Sequence, residues 1–314
     1  MTILPIPSGT RDVLPDEMRE LRAITEAIRG VFDERGYGEV STPALEYEEV
    51  LERAGLADGD RAVYRMFDEY GQVLTLRWDM TVPIARLVAT RYATAEPPLR
   101  FGYFAHVYRD VRPQRGQPRE LLQAGIELVG VPAPEGTAEA LTVLCRALDA
   151  TGLRDYRVGL GSASLYPKLM DECDVPDAVR PELLALLAAR DLVGLERRAA
   201  ELSLDERITR IPQLRGGVDV LEEAPVPLLK RVWEMLSEDV RSRVIFDLGL
   251  VRHLGYYTGA VFEVYDPALG APIGRGGRYD GLLARFGRDL PAVGFAIGVD
   301  RLHIALAGEE RGER

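Results

Sequence analysis

The chain has 314 residues, of which 46% are hydrophobic and 28% charged, with a net charge of −11 and a pI near 5.0. That length suits one large domain with an insertion or two modest ones. No apolar run approaches the roughly 20 residues of a membrane span, and the acidic balance argues against a broad nucleic-acid surface while leaving room for a local basic groove. The N-terminus, MTILPIPSGTRDVLPDE, lacks the basic-then-apolar layout of a signal peptide, so a cytoplasmic protein is expected. Cys145 and Cys173 fall in helix-like stretches and read as free thiols rather than a disulfide or metal pair. His106, His253 and His303 are scattered without metal-ligand spacing.

In chain order, Gly9-Thr-Arg-Asp12 precedes a helical pattern from Pro15 to Glu34, with Met18, Leu21, Ile24, Ile28 and Phe32 on one face. Gly36-Tyr37-Gly38 stops it, and Val40 to Glu46 reads as one extended segment. Val63 to Asp79 has the pattern of a hairpin turning at Glu69-Tyr70-Gly71. It delivers Leu76-Arg-Trp-Asp-Met-Thr81 to the start of a helix reaching Tyr92. Asp79 is placed either to cap that helix or to serve a pocket.

Leu99 to Gly130 is the most informative stretch. Two strands are joined by the turn-forming, basic loop Arg112-Pro-Gln-Arg-Gly-Gln-Pro118. On the return strand Leu122, Ala124, Ile126 and Leu128 alternate on one side, while Arg119, Gln123 and Glu127 occupy the other. On the outgoing strand Tyr103 and Arg109 share a parity with Phe101, Ala105 and Val107. A solvated hairpin face and the floor of a small-molecule site fit these residues equally well.

Glu135 to Thr151 reads as a helix and Tyr156 to Leu160 as a strand. From Leu165 to Leu236 the pattern is almost wholly helical, a helical insertion (165–237) with no identifiable chemistry. Strands resume at Val244. The tyrosines of Leu254-Gly-Tyr-Tyr-Thr-Gly259 read as pocket residues or as plain sheet aromatics. Gly274-Arg-Gly-Gly-Arg-Tyr-Asp-Gly281 reads as a glycine loop able to approach a ligand but too loose for a phosphate loop. Ala292 to Leu302 forms a strand-to-helix unit, and Gly308 to Arg314 is expected to fray.

These segments, taken together from about Gly9 to Leu306, resemble the class II aminoacyl-tRNA synthetase core, most closely that of histidyl-tRNA synthetases. The helix and strand at 15–46 resemble the first, dimerising motif. Arg109, the Arg-Pro-Gln-Arg-Gly loop and the Gln123/Glu127 pair resemble the second, and 292–302 the third. Leu76 to Thr81 matches a segment whose acid and Thr contact the substrate's amino group. Arg252 to Tyr257 resembles the histidine signature Arg-Gly-Leu-Asp-Tyr-Tyr. The resemblance implies an α+β fold: a mixed, mainly antiparallel sheet flanked by helices, with a core of 1–164 and 238–308 and a frayed 309–314.

Three departures bear on activity. The Glu that holds adenine in the family is Val111 here. The Gly and Asp of the histidine signature are His253 and Gly255. The chain stops after the third motif, so no anticodon-binding domain is expected. By contrast, the histidine-pocket positions Asp79, Thr81, Arg109, Gln123, Glu127, Arg252, Tyr256 and Tyr257 are kept. That combination resembles the synthetase-like regulatory subunits of ATP phosphoribosyltransferase, which implies a non-catalytic histidine sensor with no metal or cofactor. It also implies a homodimer within a hetero-octamer with a short-form catalytic subunit, and no tRNA or membrane partner. The alternatives are a stand-alone paralogue that activates histidine or another amino acid with ATP, and a truncated synthetase fragment.

Overall fold

The structure is a computed structural model and describes residues 5–56, 63–110, 118–251 and 255–311. Helix α1 (Pro15–Glu34) opens with Pro15, Asp16 and Glu17 in its first turn, residues that suit the unpaired N–H groups there. It buries Leu21, Ile24, Ile28 and Phe32 at helical spacing; Met18, expected on that face, is 37% exposed. The helix ends where Gly36 turns left-handed (φ +75°), letting Gly36 and Tyr37 N–H donate to the Asp33 and Phe32 carbonyls.

The extended segment that follows is broken into two strands in different sheets. Strand β1 (Gly38–Glu39) lies parallel to the main hairpin, while β2 (Leu45–Tyr47) leads into α2 (Glu48–Arg53). The expected hairpin is present as β3 (Arg65–Phe67) and β4 (Val73–Leu76), which with β2 make a three-stranded sheet. Helix α3 (Thr81–Thr90) follows directly.

Strands β5 (Leu99–Tyr108) and β6 (Glu120–Val129) pair antiparallel over their whole length, Tyr103 opposite Gly125 and Phe101 opposite Glu127. Then come α4 (Glu135–Ala150) and β7 (Arg157–Ser162). The helical stretch resolves into α5 (Leu165–Glu172), α6 (Arg180–Ala188), α7 (Leu192–Glu201) and α8 (Arg207–Arg210), then α9 (Pro227–Met235) and α10 (Glu238–Arg241). Between α8 and α9, β8 (Arg215–Gly216) pairs with β9 (Val244–Asp247).

Three more strands, β10 (Ala260–Tyr265), β11 (Gly274–Arg278) and β12 (Ala292–Gly298), complete a nine-stranded sheet of order β1-β5-β6-β12-β11-β10-β7-β9-β8. Only β1–β5 and β7–β9 are parallel among the described pairs. The expected glycine loop at 274–281 is thus largely a central strand. Its side chains are missing because its neighbours fill the space: a Cβ on Gly277 would lie 2.7 Å from the Tyr257 ring. Helix α11 (Val299–Arg311) continues past the expected fraying point, and Glu309 accepts from the Arg154 and Asp155 N–H groups at 2.7–3.1 Å.

Both faces of the sheet are buried. Ala124, Ile126 and Leu128 join α1, α4 and the helical stretch in one core. The opposite parity, Phe101, Tyr103, Val107 and Leu121, meets a second layer made of α3 residues with Tyr256 and Tyr279. The Gln123/Glu127 side is therefore roofed, and the solvated-face alternative is excluded.

Candidate functional site: a roofed cavity on the central strands

Alternation on β6 sends Gln123 and Glu127 to the same side of the sheet, and α3 lies over them. Between floor and roof is a cavity with about 90 Å³ open to the centre of a water-sized sphere. Asp79, Thr81, Arg109, Gln123, Tyr256 and Tyr257 all line it. Thus six of the eight residues named from sequence come together from four separate segments. Arg252 lies outside the described residues, as do Val111 and His253 and all but Pro118 of the 112–118 loop.

Glu127, the remaining one, sits beneath the lining. It is 1% exposed, and its two oxygens accept from the Thr81 hydroxyl at 2.7 Å and from the Tyr279 phenol. Burial, reinforced by the nearby Asp79 charge and opposed by those two hydrogen bonds, pushes its carboxyl up to about 8. At neutral pH burial therefore favours the protonated form. Gly294 is its cross-strand partner on β12, and a Cβ there would overlap the carboxylate. The missing side chain is what makes room for the acid.

Asp79 both caps a helix and lines the cavity. One carboxylate oxygen accepts from the Val82 N–H at 3.2 Å and so caps α3; the other accepts from the Tyr256 hydroxyl at 3.2 Å. Tyr256 and Tyr257 stand in the turn before β10, not in a strand, with ring centres 4.9 Å apart. Tyr279 meets Tyr256 edge-on at 5.8 Å. Burial first, and then the Glu127 charge, holds both the Tyr103 and the Tyr279 phenols well above the ordinary range, so both stay neutral donors.

At the other end the lining is basic. Arg109 stacks on Trp78 at 4.7 Å, and Arg301 donates to the Pro272 carbonyl at 2.7 Å. Arg275 pairs with Glu263 at 3.0 Å. The Gln123 Oε1 is buried without a partner among the described residues. Acids and phenols at one end, guanidiniums at the other and an open amide between them suit a zwitterion. Among the described residues there is no group of His, Cys, Asp and Glu able to hold a metal ion. The sequence reading missed Tyr279 and Trp78 as site residues, and placed Tyr103 only on a hairpin face that also suited a site floor. Tyr279 lay within the supposed glycine loop, whose glycines give no strand period to find it by.

The sequence profile of histidyl-tRNA synthetase matches residues 9–302. A curated relative from Moorella thermoacetica, an ATP phosphoribosyltransferase regulatory subunit, is 40% identical over 96% of this chain and 82% of its own length. Another of the same name, from Symbiobacterium thermophilum, is 42% identical over 99% and 82%. Among solved structures, an ATP phosphoribosyltransferase regulatory subunit/histidyl-tRNA synthetase from Bacillus halodurans superposes with a TM-score of 0.90 at 33% identity. That match covers 98% of this chain and 84% of the other. A histidine–tRNA ligase subunit from Alicyclobacillus acidocaldarius gives 0.82 at 31%, covering 99% of each.

Proposed function

The chain belongs to the histidyl-tRNA synthetase family and, within it, to the ATP phosphoribosyltransferase regulatory subunits; from that premise we propose that it senses L-histidine in the roofed cavity. As a regulatory subunit of ATP phosphoribosyltransferase it acts in histidine biosynthesis without catalysing the transfer itself. Feedback requires that histidine bind the inhibited state of the complex better than the active one, and a preference of about 1–3 kcal/mol would be an ordinary coupling.

The observation that carries this reading is the meeting of Asp79, Thr81, Gln123, Tyr256 and Tyr257 in one cavity above a buried Glu127. Asp79 and Thr81 would take the ammonium group. Glu127, through its shared protons, and the tyrosines would take the imidazole. Gln123, Arg109 and Arg252 would take the carboxylate. The chain works in the cytoplasm, as a homodimer within a hetero-octamer with the short-form catalytic subunit. Residues 165–237 are an insertion into the 1–164 and 238–308 core.

Calorimetric titration of L-histidine into the isolated chain, beside the inhibition curve of the reconstituted complex, tests the proposal. The isolated chain should bind histidine saturably at one site, and the complex should be inhibited over a range within about two decades of that affinity. A second reading is supported by the basic end of the cavity, since Arg109, Arg275 and Arg301 would also suit ATP phosphates. Histidine-dependent exchange between pyrophosphate and ATP on the isolated chain would favour that reading and overturn the sensor.

A further inference from the structure

A second cavity, of about 330 Å³, lies at the other end of the sheet, where the helical stretch meets β7, β8, β9 and β10. One wall carries Arg157, Arg190 and Arg215. Two of these share one acid: Arg190 reaches the Asp247 carboxylate at 3.3 Å, and Arg215 pairs with the same oxygen. Asp247 is itself buried, its other oxygen accepting from Gly249 N–H at 3.1 Å. Arg190 also donates to the Tyr265 hydroxyl at 3.2 Å. Each guanidinium carries five N–H donors, and the Arg190 and Arg215 side chains remain 49% and 54% exposed. Donors are therefore left over on this wall. Asp155 and the buried Asp266 line the same cavity.

Arg190 stands in a backbone position that does not suit it. It follows the last turn of α6 with φ +55°, while Arg190 N–H donates to the Leu187 carbonyl and Asp191 N–H to that of Leu186, both at 3.0 Å. This helix ending favours glycine, since any Cβ is strained there. The side chain placed there at a conformational cost is one that joins the arginine wall.

We propose that the second cavity binds a small polyhydroxylated anion. Its phosphate or carboxylate group is held by Arg157, Arg190 and Arg215, and its hydroxyls donate to Asp155 and Asp266. The site is separate from the roofed cavity and independent of what that cavity binds.

The test is calorimetric titration of the full chain with glucose 6-phosphate and with gluconate, which pair one hydroxylated carbon chain with the two anionic groups. The wild-type chain should bind at least one of them, and whichever it prefers names the anionic group. Arg190→Gly and Arg215→Gln should each weaken binding by roughly ten- to a hundred-fold. Arg109→Gln, which alters only the first cavity, should leave it unchanged. Because glycine relaxes the backbone at 190, Arg190→Gly should melt no lower than wild type, which separates lost binding from lost folding. The proposal is overturned if neither anion binds at millimolar concentration, if Arg190→Gly binds as wild type does, or if Arg109→Gln abolishes binding.

Discussion

Replacing Glu127 by Gln should make the protein more stable in alkaline solution. The carboxyl is raised by burial from an ordinary 4.5 to about 8. Below 4.5 it is protonated whether the chain is folded or not, and nothing is lost. Above 4.5 the unfolded chain releases the proton while the folded one keeps it, so stability falls as pH rises, until the folded group ionises near 8. At ~1.36 kcal/mol per pH unit, the full interval amounts to ~3–5 kcal/mol.

Gln has the same shape. Its carbonyl can accept from Thr81, and its amide can donate to the Tyr279 oxygen, so the exchange itself should cost no more than about 1 kcal/mol. Urea denaturation at pH 5 should therefore find wild type and Glu127→Gln within about 1 kcal/mol of each other. At pH 9 the variant should lead by ~3–5 kcal/mol with an unchanged denaturant slope. A gap of the same size and sign at both pH values would refute the reasoning, because it would mean that Glu127 does not titrate between them.

Asp79→Asn keeps an equally good helix cap, so its melting temperature should match wild type while histidine affinity by calorimetry drops roughly ten- to a hundred-fold; unchanged affinity would reduce Asp79 to a cap. Tyr279→Phe removes one of the two donors to Glu127 and should cost about 1–3 kcal/mol above pH 8 but much less at pH 5, read by the same urea titrations. The isolated chain should sediment as a dimer at micromolar concentration, since α1 and the strands after it resemble the family's dimerising motif, and a monomer there would contradict the assembly proposed.

The β5–β6 hairpin was legible because strict alternation separates Ala124, Ile126 and Leu128 from Gln123 and Glu127, and a strand cannot present both sets to one side. The dual use of Asp79 was half legible, since its position marks a cap but the Tyr256 contact spans 177 residues of sequence. Strand β11 was hidden because glycines carry no period, and with it went Tyr279. The charge state of Glu127 could not be read locally either: the layer that dries it comes from α3, Tyr256 and Tyr279, which sequence spacing does not bring together. The arginine wall was missed for a similar reason, since Arg190 and Arg215 meet Asp247 only through the ending of α6 and the pairing of β8 with β9.

The space around Glu127 exists because residue 294 has no side chain, and the ring of Tyr257 lies where a side chain on residue 277 would be. Such a site is inherited partly as absences. A change of Gly294 to Ala or Ser would leave every acid, amide and tyrosine of the pocket in the sequence, and a comparison of polar motifs would count the variant as intact. Yet the added carbon would collide with the carboxylate at the floor. If the cavity senses histidine as proposed, variants of this kind should escape feedback while looking fully equipped for it, so a search for feedback-resistant variants should look at the glycines of β11 and β12 as closely as at the charged residues they make room for.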